Sequence, residues 1–152
     1  MNETQASQTP QTALSLLSTY PTDRLIKPAD FKRVFNRPVV SADHLFKVLA
    51  RTNEGSVARL GMAVSRQVDR RAVGRNRIKR VIRESFRLFF ASGGPAADFV
   101  VLPRRESATI CNRQLFRSLD KHWARILARL EQSSEAHRKG PAPEPCATPK
   151  GS

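Results

Sequence analysis

Residues 74–87 read GRNRIKRVIRESFR, five arginines and one lysine set around Ile78, Val81, Ile82 and Phe86, with Glu84 as the only acid. At 100° per residue, Ile78, Val81, Ile82, Ser85 and Phe89 fall on one side of a helix, which makes that side the core face. Asn76, Lys79, Arg80, Arg83 and Arg87 fall on a separate arc that faces solvent. The stretch predicts a helix over about 75–90, ended by Ser92-Gly93-Gly94-Pro95. Lys79, Arg83 and Arg87 repeat at i, i+4, and each adjacent pair costs an isolated helix roughly 0.2–0.5 kcal/mol. Glu84 offsets only part of this repulsion. A helix with such a face needs a stabilising partner from outside.

The flanking segments supply a sheet. Residues 59–65 alternate Leu60, Met62 and Val64 against small residues, and Asp98–Leu102 is a nearly all-apolar run stopped by Pro103, so both read as strands. Residues 44–51 predict another strand, with Phe46, Val48 and Ala50 on one face and Leu45, Lys47, Leu49 and Arg51 on a mixed one; Asn53-Glu54-Gly55 turns the chain after it. Pro28 to Phe35 predicts a short helix, with Pro28 at its first position and Phe31, Val34 and Phe35 on one face. A last helix over about 112–131 carries Leu115, Leu119, Trp123, Ile126, Leu127 and Leu130 along one side. The order αββαβα predicts a single-domain α+β sandwich, a small mixed sheet with helices on its faces.

The ends lack such periods. Residues 1–21 are rich in Gln, Thr and Ser, and 132–152 carry Pro141, Pro143, Pro145 and Pro149, so both are expected to be disordered tails around a domain at 22–131. That domain holds 24 basic and 10 acidic residues, which accounts for the whole net charge of +14. An excess of this size selects a polyanionic partner, nucleic acid before an anionic membrane. Half of the excess lies in 66–87, where eight arginines and one lysine meet two acids, a balance suited to bidentate phosphate contacts.

Enzyme chemistry finds little support in the residues. Cys111 and Cys146 are far apart and have no ligand-spaced neighbours; His44, His122 and His137 are scattered. The acids are isolated, so no catalytic residue and no protein metal site is expected. No targeting segment or run of ~20 apolar residues is present, which points to the cytoplasm and away from a membrane.

RNRIKRVIRESFR, preceded by GMAVSRQVDRRAVG and followed by DFVVLPRR, resembles the protein subunit of bacterial ribonuclease P. The resemblance runs from about Arg24 to Arg129 and includes the early Phe-x-x-x-Phe helix and the helix around Trp123. It implies the ribosomal-protein-like fold of that family, in which the βαβ unit crosses over left-handed, against the general rule. It also implies an RNA-based endoribonuclease that trims the 5′ leader from precursor tRNA, with Mg2+ bound mainly by the RNA subunit. Arg75, Asn76, Arg77, Lys79, Arg80, Arg83 and Arg87 would face the catalytic RNA, together with Arg70 and Arg71. Periodicity alone reads Phe31, Phe35, Phe46 and Val48 as ordinary core, whereas the resemblance implies that the leader lies in a cleft touching them, with Arg66 at its backbone; no protein partner is required. Ser65-Arg66-Gln67 stands where the family usually has a pair of lysines. The residues alone leave a second reading open, a non-enzymatic ribosomal or RNA-assembly protein with the same charge and fold class; double-stranded DNA binding lacks a helix-turn-helix or zinc signature.

Overall fold

Asp43 sets the register of the sheet. Its Oδ1 accepts from the backbone N–H groups of Leu45 and Phe46 at 2.7 and 2.8 Å, closing an Asp-centred turn between two antiparallel strands, β2 (Val39–Ala42) and β3 (Phe46–Thr52). The computed structural model describes residues 23–138. Before β2 come β1 (Asp23–Arg24) and α1 (Pro28–Phe35); after β3 come β4 (Arg59–Met62), α2 (Ala72–Phe89), β5 (Ala97–Pro103), a 3-10 turn (Arg105–Ala108) and α3 (Asn112–Arg138). The five strands lie in the order β1-β4-β5-β3-β2. β4 and β5 pair in parallel, with α2 as their crossover, while β3 pairs antiparallel to both β5 and β2.

The α+β sandwich stands, with additions. β1 and β2, at the two edges, are too short to leave an alternation in sequence. α2 begins at Ala72 rather than near 75; Gly74 weakens the sequence signal for an earlier start, and the neighbouring Asp69 supports it. The expected end of α3 at 131 is corrected: the helix continues to Arg138, and Glu131 to Glu135 are exposed, so no buried face marked the extension. The expected N-terminal tail, 1–21, with residue 22 of the domain, and 139–152 of the C-terminal one lie outside the described residues.

Two cores form, one on each face of the sheet. Under α2 and α3, Phe46, Val48, Leu60, Phe99 and Val101 meet Ile78, Ile82, Phe86, Leu119, Trp123 and Ile126. Phe86, Phe90, Phe99 and Trp123 form an aromatic cluster with ring centroids 4.6 to 6.1 Å apart. Each such pair adds roughly 0.5–1.5 kcal/mol beyond its buried area. Trp123 Nε1 donates to Ser85 Oγ at 2.9 Å, which explains a serine on the core side of α2. The smaller core, under α1, joins Leu25, Val34, Leu49 and Val100 to Phe31 and Leu102. Gly61 makes room there: a Cβ on it would lie 2.9 Å from the Phe31 ring.

His122 is completely buried between β2 and α3. Ser41 Oγ lies 2.7 Å from its Nδ1, and Asp43 Oδ2 lies 3.2 Å from its Nε2, although that second contact is poorly aligned. Burial pushes the His122 pKa below its ordinary 6.5, and the charge of Arg125 adds to this, while Asp43 opposes it. Burial alone would raise Asp43, but the Ser118 hydroxyl at 2.5 Å and the two backbone N–H groups lower its pKa to about 2. Both groups therefore bind fewer protons folded than unfolded in acid. Stability is full above pH ~6.5 and falls as His122 titrates in the unfolded chain alone; below pH ~4 Asp43 adds to the loss. Denaturation midpoints should decline between roughly pH 7 and 5, and His122→Gln should remove that limb but keep the steeper acid one. A parent midpoint that stays flat over this range would exclude the neutral buried imidazole.

Candidate nucleic-acid interface

The helix α2 is held at its start by an acid. Asp69 Oδ1 accepts from the Arg71 N–H at 2.8 Å, and its carboxylate leans on the first turn, where the helix dipole favours negative charge. The approach requires a glycine at 74, since a Cβ there would meet Asp69 Oδ2 at 1.8 Å. Arg75 Nη1 then donates to the carbonyls of Asp69 and Arg70 at 2.9 and 2.8 Å, fixing the loop. The result is a groove of about 1080 Å³ between this loop and the 3-10 turn, lined by Arg66, Arg70, Arg71, Arg75 and Arg105, with Asp69 as its acid.

The residues of the basic helix divide by what they touch. Arg77, left off the solvent arc by its position on the helix, is half-buried and already engaged. Its guanidinium donates to the carbonyls of Ala108 and Ile110 and to Asn112 Oδ1 at 2.8, 3.1 and 3.0 Å, and reaches Ser107 O at 3.4 Å. It ties α2 to the start of α3. Lys79 is half-buried, while Asn76, Arg80, Arg83 and Arg87 are exposed. Arg87 pairs with Glu84 at 2.5 Å, and that hydrogen bond lowers the Glu84 pKa; Arg80 and Arg83 have no ion pair among the described residues. A smaller pocket of about 180 Å³ sits between this arc and the β1–β4 edge, where Arg24, Arg83 and Arg87 surround Leu60 and Met62.

The expected leader cleft needs correction. Phe46 and Val48 are fully buried beneath α2 and α3, on the sheet face away from α1. Both faces of β3 carry apolar residues, so alternation could not say which one lies under which helix. Register decides it. Val40, Leu49, Val100 and Gly61 align across the sheet beneath α1, and Lys47 pairs with Leu102 in the next row. The accessible surface beside α1 is thus formed by Phe31, Phe35 (49% exposed), Val40 (37% exposed), Leu102 and the exposed Lys47. Lys47, Val40 and Leu102 were missed by sequence reasoning; assigning α1 to the Leu49 face would have found Lys47. Arg66 lines the arginine groove. Arg51 Nη1 donates to the carbonyls of Arg33 and Asn36 at 2.8 and 3.0 Å, anchoring the C-terminal end of α1.

Among the described residues, no three His, Cys, Asp or Glu side chains gather where they could hold a metal ion, and no helix is long and apolar enough to cross a membrane. The family profile described as Ribonuclease P matches residues 20–127. The ribonuclease P protein component of Methylococcus capsulatus is 44% identical over 111 residues, spanning 73% of this chain and 86% of the relative. The solved ribonuclease P protein of Staphylococcus aureus aligns with a TM-score of 0.63 at 34% identity, over 68% of this chain and 96% of that one. The protein from Thermotoga maritima aligns at 0.56 and 29% identity, over 70% and 96%.

Proposed function

The chain belongs to the ribonuclease P protein family, and from that premise we propose that it is the protein subunit of a cytoplasmic ribonucleoprotein that removes the 5′ leader from precursor tRNA. The observation that carries this reading is the exposed arc of Arg80, Arg83 and Arg87 beside the five-arginine groove. Phosphates of a catalytic RNA would bind there and relieve repulsion that the chain cannot relieve internally. In this reading the magnesium that activates water is bound mainly by the RNA. The protein's part is to reduce repulsion between two RNAs and to hold the leader.

The leader would lie beside α1, over Phe35, Val40 and Lys47. An unpaired base stacked on an exposed ring is worth roughly 1–3 kcal/mol and tolerates any sequence. Lys47 supplies a cation for the backbone next to it.

The test is reconstitution with the cognate RNA at moderate magnesium, assayed on precursor and mature tRNA. Protein alone should leave the precursor intact, and the complex should cleave it faster than the RNA does. Phe35→Ala should weaken precursor binding about ten-fold or more, with mature tRNA unaffected and the melting temperature unchanged. Cleavage by RNA-free protein would overturn the division of labour. Equal weakening on both tRNAs would remove the leader from this face.

A further inference from the structure

The outer side of α3 carries a second row of cations. Arg113, Arg117, Lys121, Arg125 and Arg129 recur at i, i+4 and are all exposed. None takes part in an ion pair among the described residues. Each of the four adjacent pairs repels, as on α2, and no acid interrupts the row. Because an i, i+4 row drifts about 40° per step, it winds from the outer surface of α3 toward one side. Arg129 shows which side, as its Nη1 donates to Val40 O on β2.

The two basic rows face opposite ends of the helical layer. Arg83 and Arg87 on α2 stand over the β1–β4 edge with Arg24. The row on α3 ends over β2, the other edge of the sheet. Val40 links that row to the surface beside α1: its half-exposed side chain aligns with Leu49 beneath α1, while its carbonyl accepts from Arg129. A strand leaving the α1 surface across β2 would next meet Arg129, Arg125, Lys121 and Arg117, about 18 Å of helix at 1.5 Å per residue.

We propose that this row binds the backbone of the single-stranded leader upstream of the segment held beside α1, so that the leader track passes around the β2 edge. The proposal rests on the ribonucleoprotein reading above and adds a second, longer contact to it. The row offers point and forked charges without rings, so it holds phosphates without reading bases. Long leaders should bind more tightly than short ones, whatever their sequence.

The experiment uses the reconstituted holoenzyme and two precursors, one with a leader ending beside α1 and one with a leader long enough to pass β2. The parent should bind the long-leader precursor more tightly. Arg117→Gln/Lys121→Gln/Arg125→Gln should weaken the long-leader complex roughly ten-fold, flatten its salt slope by about 0.7 per lost contact, and leave the short-leader complex unchanged. Arg129 is kept because it also holds β2. Arg117→Lys/Arg125→Lys, which preserves charge, should retain the parent's affinity for both. A parent indifferent to leader extension overturns the proposal but leaves the short-leader contact standing. Equal weakening on both precursors also overturns it and assigns the row to the catalytic RNA. A parent that fails to distinguish precursor from mature tRNA removes the functional reading itself.

Discussion

Replacing Arg80, Arg83 and Arg87 together with alanine should flatten the slope of log affinity against log salt by about two units for the catalytic RNA, since each phosphate contact contributes roughly 0.7–0.9. Arg80 and Arg83 should each contribute fully. Arg87 should contribute less, because in the free protein it already pairs with Glu84. The melting temperature should not fall, since alanine favours a helix and the i, i+4 repulsion between Arg83 and Arg87 disappears. Titrations at several salt concentrations measure the slope. A folded triple variant that keeps the parent slope would leave the arc as a solvated surface without RNA contacts.

Asp98→Ala should have the largest effect on stability. The carboxylate is 1% exposed and accepts from Arg59 Nε and Nη2, both at 2.7 Å, and from Asn53 Nδ2 at 2.6 Å. It joins the end of β3, the turn after it and β4 to the centre of the sheet. Breaking a buried pair from one side costs about 3–5 kcal/mol, a large share of the ~5–15 kcal/mol that holds a domain together. A fall in melting temperature of roughly 10–25 °C follows for a domain of this size. A variant melting within a few degrees of the parent would show that water or Asp30, 3.6 Å from Arg59, replaces the lost partner.

The sequence showed the large elements because their apolar periods are long. The core side of α2, including Ser85, and the buried strand Asp98–Leu102 are legible from spacing alone. The side of the sheet facing each helix was not. β3 carries Phe46 and Val48 on one face and Leu49 on the other, and only its pairing with β2 and β5 fixes which lies under α1. The contacts of Arg77 were hidden for a different reason. The helical wheel leaves it off the solvent arc and only the family resemblance puts it against RNA; its partners are carbonyls at least thirty positions away, which no local pattern encodes. The hydrogen-bonding partners of His122 were not legible, because Ser41 and Asp43 come from a strand and turn too short to recognise.

The bond from Arg129 to Val40 O also bears on the life of the chain before it meets RNA. An outer strand with open carbonyls is a template on which another copy can pair and begin to aggregate. On β2 one such carbonyl is occupied by a long cationic side chain, and the molecules behind it repel one another through a charge of +14. Both features work against pairing between copies at this edge.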